Sequence, residues 1–318
     1  MMTAIGIDLG GNNIKGVLLN EEGEVLHEAL QSTTQHPSDS LSDDQQWKRS
    51  VANMVSELKS KSPAPVKAIG LAAPGLPNEG NTAIRVMPER LKGIENLEWA
   101  SYLHEKEVWV INDAHAAVMA EAKFGTGKGI NNLVMLTLGT GVGGGIIING
   151  ELYQGNYQMA GHLGHMTLDI NKEDPGITGM PGTLESAMGE DTVSKRSFGR
   201  FHSTPELVAA YQRGEPFATY VWLDAVRKLA LGLCSLCNLL SPDLIILGGG
   251  ITKAGKSLYR PLADFMDVYE WKNVGKKILV EQAHYHDKAG AVGAAAFAFS
   301  RTPSRPIPDL RNKNLTEK

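Results

Sequence analysis

Cysteine is scarce in this sequence: the 318 residues contain only Cys234 and Cys237, too few for the disulfide framework of a small secreted protein. No apolar run reaches the roughly 20 residues that a membrane-spanning helix needs, and the first residues lack the basic segment and apolar core of an export signal. The net charge is only −4, so no positive field favours nucleic acid or an anionic membrane surface. We therefore expect a cytoplasmic protein without membrane or nucleic-acid partners.

Glycine, in contrast, is abundant and unevenly placed. There are 35 glycines, and many of them stand in short clusters that follow apolar, strand-like runs. Clustered glycine suggests a backbone that approaches a ligand closely, because no Cβ stands in the way. With 42% hydrophobic residues, the chain can form two ordinary domains with a core each, and we expect an α/β protein.

A strand, a glycine turn and a second strand occur in each half of the chain. The first pattern covers residues 4–9 and 14–20, and the second covers residues 133–138 and 144–148. This repetition predicts two similar lobes around a cleft. The predicted domains are residues 1–113, completed by a C-terminal helix over 288–300, and residues 114–287, with a flexible tail over 301–318.

Other segments predict helices and strands between these patterns. Apolar residues recur at helical spacing over residues 47–58. A polar, mixed stretch over residues 186–225 leads into a strongly apolar helix over residues 226–240, in which the two cysteines are expected to pack. A short strand over residues 108–111 runs directly into a helix over residues 114–124, where we expect Glu121 to be structural.

The first glycine loop, Asp8-Leu9-Gly10-Gly11-Asn12-Asn13-Ile14-Lys15, lets backbone N–H groups approach phosphate oxygens. Taken alone, this loop is equally consistent with an ordinary hairpin turn. Asp8 stands at the end of a strand and suits a Mg²⁺ ion bound through water, while Lys15 either neutralises phosphate or is a surface charge. The candidate phosphate ligands of this loop are Asp8, Gly10, Gly11, Asn12 and Lys15.

Two further glycine loops each follow a strand. The second, Gly139-Thr140-Gly141-Val142-Gly143-Gly144-Gly145, has more glycine than packing requires, and the Thr140 hydroxyl suits a β- or γ-phosphate oxygen. The third leaves room for a flat adenine or ribose, although its spacing is neither that of a Walker A loop nor that of a dinucleotide fingerprint. Three such loops predict a nucleotide held between two similar halves. The candidate ligands here are Thr140, Gly141, Gly143, Gly248, Gly249 and Gly250.

Asn112-Asp113 stands where the strand over residues 108–111 meets a helix, and open α/β sheets bind ligands at the carboxyl ends of their strands. A hydroxyl that accepts a phosphoryl group needs a base within hydrogen-bond reach, and Asp113 suits this role. The alternative role is a helix N-cap, for which Asp is a common residue. The glycine loops favour the base.

The chain resembles the ROK sugar kinases over nearly its whole length. The resemblance implies an α/β fold of the actin-like ATPase (ribonuclease H-like) type with two similar lobes around a nucleotide cleft, a homodimer, and the use of ATP and Mg²⁺. It also implies that Asp113 is the catalytic base, that Asn112 binds the sugar and that the first two glycine loops hold the ATP phosphates. The matching motifs are the three glycine loops, Ala73-Pro74-Gly75, Asn112-Asp113-Ala114, Ala160-Gly161-His162-Leu163-Gly164-His165 and Ala289-Gly290.

The family usually carries a zinc motif, C-x-C-G-x-x-G-C-x-E, after a histidine that matches His165. The aligned residues 176–185 keep both glycines and Glu185 but none of the cysteines. A structural zinc site needs four thiolate or imidazole ligands in a closed tetrahedron, so we expect no structural zinc. His165 and Glu185 remain candidate ligands of the sugar.

Three other positions depart from the family. His162 replaces the usual sugar-binding glutamate, as in the bacterial N-acetylmannosamine kinases of the family, and Arg90 occupies the place of an asparagine that faces the sugar. Because a hydrogen bond to a charged group contributes roughly 1.5–3 kcal/mol, these changes alter which hydroxyls are bound. Asn12 replaces a threonine in the first loop and can still donate through its amide.

The leading hypothesis is ATP-dependent phosphorylation of a hydroxyl, expected to be the 6-OH, of a hexose or N-acetylhexosamine. The altered sugar pocket leaves open a catalytically silent ROK-type sugar-binding or sensor protein without a DNA-binding domain. A ROK-type repressor is disfavoured, because the strand that leads into the first loop already begins at Ala4 and leaves no room for a preceding helix-turn-helix.

Overall fold

The computed structural model describes residues 2–33, 43–87, 91–171, 179–272 and 275–301. Within these ranges the strands are β1 (Thr3–Leu9), β2 (Asn13–Asn20), β3 (Val25–Ser32), β4 (Val66–Ala73), β5 (Leu76–Pro77), β6 (Ile84–Val86), β7 (Val108–Asn112), β8 (Leu133–Leu138), β9 (Val142–Ile148), β10 (Glu151–Leu152), β11 (Leu244–Gly248) and β12 (Leu279–Gln282). The α-helices in the same ranges are α1 (Asp43–Ser60), α2 (Trp99–Leu103), α3 (Asp113–Phe124), α4 (Leu184–Met188), α5 (Val193–Arg196), α6 (Thr204–Gln212), α7 (Pro216–Leu240), α8 (Lys256–Tyr269) and α9 (Ala289–Arg301).

Two five-stranded sheets repeat one topology. The first has the order β3-β2-β1-β4-β7 and the second has the order β10-β9-β8-β11-β12. In each sheet the central strand pairs antiparallel with its hairpin partner and parallel with the strand on its other side. The repetition predicted from the two glycine hairpins is therefore confirmed, and we call the part of the chain around each sheet a lobe.

Helices α3 and α9 pack where the two lobes meet, and glycines allow the close contacts. A Cβ added to Gly6 of β1 or Gly70 of β4 would lie 1.9 Å from a carbonyl oxygen of α9, and one added to Gly293 of α9 would lie 1.6 Å from the carbonyl oxygen of Ala116 on α3. On the other lobe, a Cβ added to Gly145 of β9 would lie 2.4 Å from Cγ1 of Val118 on α3. The C-terminal helix thus packs against strands of the first sheet.

The second lobe differs from the sequence prediction in its long helix. Helix α7 begins at Pro216 rather than at residue 226, and α6 lies within the stretch that we read as polar and mixed. The early turns of α7 bury Ala218, Val221, Trp222 and Ala225, which recur at the spacing of one helix face. Polar residues between them concealed this pattern.

Arg301, which we placed in the tail, is the last residue of α9. Its guanidinium donates to Oδ1 of Asn81 at 3.1 Å and to Oε1 of Gln154 at 3.4 Å, so it links segments of the two lobes. Residues 302–318, the rest of the predicted tail, lie outside the described residues. In the described part of the chain, no helix combines the length and apolar character needed to cross a membrane.

Candidate active site

The first glycine loop is the tip of the β1–β2 hairpin, and its carbonyl groups accept hydrogen bonds from within the protein. The hydroxyl of buried Thr33 donates to the Gly10 carbonyl at 2.9 Å, and its backbone N–H donates to the Asn12 carbonyl at 2.9 Å. The Gly10 N–H donates to the Asn13 carbonyl at 3.0 Å. No described residue accepts from the amides of Gly11 and Asn12, so these donors remain available to an anion.

Asp8 lies at the base of this loop, beside the start of α9. A Cβ on Gly290 would lie 2.5 Å from the Asp8 carboxylate, so glycine lets the helix approach it. Burial raises the pKa of Asp8 to about 7, the charge of Asp113 adds to the increase, and Lys15 opposes it. Two carboxylates that interact in this way fit a hard cation with oxygen and water ligands such as Mg²⁺.

Lys15 has a partner within the protein. Its ammonium group donates to the Asp287 carbonyl at 2.8 Å and lies 3.5 Å from the Asp287 carboxylate. The side chain therefore connects β2 to the turn before α9. Of the two roles that the sequence left open, this contact favours the surface ion pair, although the charge still acts on Asp8.

The second glycine loop is held by the segment around α4. The carbonyl groups of Gly139 and Thr140 accept from the amides of Glu190 at 2.9 Å and Asp191 at 3.1 Å. The Gly139 N–H donates to the Gly141 carbonyl across the tip at 3.0 Å, and no described residue accepts from the amides of Thr140 and Gly141. This tip thus has the same construction as the first, with carbonyl groups engaged and amides available.

The third loop lies beside the second and shares a pocket with it. Gly249 has φ +88°, and a Cβ there would lie 2.3 Å from the Leu138 carbonyl oxygen, so only glycine fits. The cavity measures about 510 Å³, within the range of small-ligand sites. It is lined by Gly139, Thr140, Gly250 and Ile251 from the two loops and by Val208 and Gln212 from α6. We call this cavity the loop pocket.

The N-cap of α3 is Asn112 rather than Asp113, the residue for which the sequence left the cap role open. Asn112 is the N-cap of α3: its Oδ1 accepts from the amides of Ala114 at 2.9 Å and His115 at 3.2 Å. Its Nδ2 donates to the Gly75 carbonyl at 3.0 Å, which ties the Ala73-Pro74-Gly75 motif to the site. Asp113 is the first helical residue, and its Oδ1 accepts from the Ala114 amide at 2.8 Å. The neighbouring asparagine thus supplies the cap.

Three imidazoles form a row beside Asp113, which we call the histidine row. The ring centroids of His115 and His162 are 5.4 Å apart, and those of His162 and His165 are 6.1 Å apart. His115 lies on α3 and its Nε2 is 2.8 Å from the Ala160 carbonyl oxygen. Within the described residues, His115 Nδ1, His162 Nε2 and His165 Nδ1 are buried and unpaired. A ligand or water with matching groups would satisfy them.

Two imidazoles of the histidine row, those of His115 and His162, have lowered pKa values. Burial, followed by the charge of His162, lowers the pKa of His115 to about 4. Burial and the charge of His165 also lower the pKa of His162, while the charge of Asp113 acts in the opposite direction. Asp113 therefore lies close enough to His162 for their charges to interact, just as it does with Asp8.

The comparisons with known proteins agree on one family. A family model described as the ROK family matches residues 4–301. The chain belongs to the ROK family. A glucokinase from Thermotoga maritima is 28% identical over 317 residues, with 93% of this chain and 97% of the relative covered. An N-acetylmannosamine kinase from Vibrio cholerae is 32% identical over 265 residues, with 81% of this chain and 88% of the relative covered.

Solved structures of other family members share the fold. A ROK hexokinase from Thermus thermophilus has a TM-score of 0.82 at 26% identity, with 94% of this chain and 98% of that chain covered. A ROK glucokinase from Streptomyces griseus, in complex with glucose and AMPPNP, has a TM-score of 0.73 at 24% identity, with 94% and 99% covered. This ROK protein thus has an α/β fold of the actin-like ATPase type with two similar lobes.

Two predicted sugar ligands of this ROK protein, Arg90 and Glu185, differ in what the structure describes of them. Arg90 lies outside the described residues, so its role stays a prediction. Glu185, on α4, points its carboxylate at the second glycine loop, where Oε2 accepts from the Val142 N–H at 2.9 Å. Of the residues aligned with the zinc motif, 176–178 are outside the described ranges. In those ranges no group of three or more His, Cys, Asp or Glu side chains is placed to hold a metal.

Two polar residues of α3 show what sequence reasoning found and missed. Glu121 is structural, as expected: its two carboxylate oxygens accept from the amides of Thr126 at 2.9 Å and Tyr285 at 2.8 Å. His115 was not predicted to be part of the site of this ROK protein. The available signal was a single imidazole among small and apolar residues at the start of a helix, immediately after Asn112-Asp113-Ala114.

Proposed function

We propose that this ROK protein transfers the γ-phosphoryl group of ATP to the 6-hydroxyl of a hexose or N-acetylhexosamine, with Asp113 as the general base. The observation that carries the proposal is the position of Asp113. It begins α3 at the carboxyl end of β7, and its charge interacts both with Asp8 at the base of the first glycine loop and with His162 of the histidine row. These interactions support a place for Asp113 near both the phosphate loops and the histidine row.

The donor side of the cleft consists of the three glycine loops and Asp8. The amides of Gly11, Asn12, Thr140 and Gly141 would hold phosphate oxygens, because no described residue accepts from them, and the volume of the loop pocket supports a nucleoside there. Asp8 would bind Mg²⁺ through water, and the ion would neutralise charge on the β- and γ-phosphates. Ionised Asp8 and Asp113 repel each other, so a bound cation favours the ionised form of both.

The acceptor side consists of Asn112, Asp113, His162, His165 and Glu185. Asp113 would take the proton of the attacking hydroxyl, which must lie in line with the γ-phosphorus. The Ala114 N–H holds one oxygen of the Asp113 carboxylate, and this fixes its direction. Asn112 is occupied as a cap and through one amide hydrogen, which leaves its second amide hydrogen for a sugar hydroxyl.

The histidine row bears on which sugar is accepted. A glutamate at position 162 would offer only acceptor atoms, whereas a neutral imidazole offers one donor and one acceptor. An acetamido group presents the matching carbonyl oxygen and N–H, and sugar hydroxyls can serve either atom. The neutral His162 therefore supports both substrate classes, in agreement with relatives described as glucokinase and as N-acetylmannosamine kinase.

A coupled assay of ADP release tests this proposal. Glucose, mannose, fructose, allose, N-acetylglucosamine and N-acetylmannosamine would each be offered with ATP and Mg²⁺, and the position of the new phosphate would be read by NMR. We expect at least one sugar to give ADP and a 6-phosphate. Binding of a sugar by calorimetry without ADP release from any of them would contradict the kinase and favour the silent sensor. The homodimer and the cytoplasmic location stay predictions.

A further inference from the structure

The segment Glu185 to Arg196 packs behind the second glycine loop. Besides the amides of Glu190 and Asp191, which donate to that loop, the Gly189 N–H donates to the Glu185 carbonyl at 2.8 Å. A Cβ on Gly189 would lie 2.9 Å from that carbonyl oxygen and 3.0 Å from the Thr140 carbonyl oxygen. The loop and the segment therefore pack backbone to backbone.

Arg196 fixes this segment from the interior. Its Nη2 donates to the Gly189 carbonyl at 3.2 Å and its Nε donates to the Thr192 hydroxyl at 3.1 Å. Burial lowers the pKa of Arg196 to about 10, while the negative charges of Asp224 and Glu190 act to raise it. Because this value lies well above 7, the guanidinium stays charged at neutral pH. A buried, charged guanidinium with these bonds holds the turn in one conformation.

Among the described residues, the Glu185 carboxylate makes the one side-chain hydrogen bond from this segment to the loop backbone. Its Oε2 accepts from the Val142 N–H at 2.9 Å and fills the space where a Cβ of residue 141 would stand, 2.3 Å from that position. Glycine at 141 is thus required for the carboxylate to reach the loop. No described residue is paired with Oε1, which leaves this oxygen for a sugar hydroxyl.

The turn that carries His162 and His165 also contacts Val142 of the second glycine loop. A Cβ on Gly164 would lie 1.8 Å from the Val142 carbonyl oxygen, so this turn packs directly on Val142. The first residue of helix α4 is bonded to the end of this turn, because the Leu184 N–H donates to the Met166 carbonyl at 2.9 Å. Val142 is therefore held by Glu185 at its N–H and by the histidine turn at its carbonyl.

We propose that Glu185 is a positioning residue for the nucleotide-phosphate loop, in addition to its predicted contact with the sugar. Through Val142 it fixes the tip whose amides hold phosphate, so its removal weakens nucleotide binding even when no sugar is present. The inference rests on the proposed function in assigning nucleotide phosphates to this loop. A residue that only bound the sugar would leave sugar-free nucleotide affinity unchanged.

Calorimetric titration of the full chain with AMPPNP and Mg²⁺, without sugar, tests the inference. We expect Glu185→Ala to raise the Kd about tenfold, as for loss of a hydrogen bond to a charged group. Glu185→Gln should restore most of the affinity, because its amide oxygen can still accept from the Val142 N–H. Glu151→Ala, which removes an exposed carboxylate from β10, should bind as the wild type does.

The sign of the change separates this role from a simple charge effect. If Glu185 acted on nucleotide only by repelling phosphates, Glu185→Ala and Glu185→Gln would both bind AMPPNP more tightly, and the inference would be wrong. Unchanged Kd in Glu185→Ala would also overturn it. Thermal unfolding identifies a variant that is not folded. If Glu185→Ala is not folded, Glu185→Gln, which has the same size as the native side chain, serves as the test instead. A Kd for AMPPNP more than tenfold above the wild-type value in Glu185→Gln would overturn the inference. Failure of the wild type to bind AMPPNP would overturn the proposed function as well.

Discussion

The donor side and the acceptor side of the cleft are built from different atoms. The donor loops present backbone amides, and neighbouring segments hold their carbonyl groups, as Thr33 does for Gly10. The proposed acceptor side presents side chains, chiefly those of Asp113 and His162, and we expect their chemical type to decide which ligand binds. We expect a backbone site to tolerate the exchange of a side chain, such as Asn12 for the family's threonine, whereas one exchange on the proposed acceptor side should change the ligand.

The largest effect that separates the two sides is expected from Asp113→Asn. Loss of the general base should lower kcat by about 10³-fold or more, while the Kd for AMPPNP and Mg²⁺ stays near the wild-type value because the loop amides are untouched. Steady-state ADP release and calorimetry measure the two quantities. A purified variant that phosphorylated sugar at the wild-type rate would show that Asp113 is not the base.

The histidine row beside the acceptor side should respond to acid through His115. Because the folded pKa is about 4 and the ordinary value is 6.5, the unfolded chain binds a proton between these values that the folded chain does not. The contribution of neutral His115 to the free energy of unfolding is therefore fully present above pH 6.5 and is lost as pH falls toward 4. We expect the wild type to lose about 3 kcal/mol more than His115→Gln over this window.

Urea unfolding at a series of pH values measures this difference. Glutamine can still donate to the Ala160 carbonyl but does not titrate, so the two proteins differ chiefly in the proton that His115 takes up on unfolding. Parallel curves of unfolding free energy against pH would show that His115 is protonated in the folded protein as easily as in the unfolded chain.

On the donor side, we expect Gly141→Ala to weaken nucleotide binding, even though the proposed phosphate ligands there are backbone amides. The new Cβ would lie 2.3 Å from Glu185 Oε2, and overpacking of this kind costs about 1–3 kcal/mol, so we expect the Kd for AMPPNP to rise about tenfold. Gly80→Ala is the control, because the nearest atom to its Cβ is 3.6 Å away. In a Glu185→Ala background the effect should shrink; equal effects in both backgrounds would exclude the predicted clash.

The smallest effect is expected from His162→Glu, which restores the residue usual in the family. A carboxylate near Asp113 makes ionisation of the base harder, so the acid limb of the profile of kcat/KM against pH should move upward by about one unit or less. The Kd for AMPPNP should not change. His162→Gln adds no charge and serves as the control, and coincident acid limbs for the two variants would show that residue 162 does not influence the base.

The sequence predicted the glycine hairpins better than the side-chain contacts around Asp113. Glycine after an apolar run is a local signal, since the absence of a Cβ acts on the immediate backbone, and the loops at Gly10 and Gly141 were found from it. The start of α7 at Pro216 was missed because its apolar face is mixed with polar residues. The use of Asn112 rather than Asp113 as the helix cap depended on side-chain rotamers that adjacent positions in the sequence do not distinguish.

The amino-acid sequence alone determined the paired glycine hairpins, the strand that ends at Asn112 and the family to which the chain belongs, because these depend on local pattern and on the order of motifs. Only the tertiary structure decided that His115 joins His162 and His165 in one row, that Lys15 turns to Asp287 and that Glu185 reaches the Val142 amide. These contacts join segments far apart in the chain, and the packing of the two sheets on α3 and α9 brings them together.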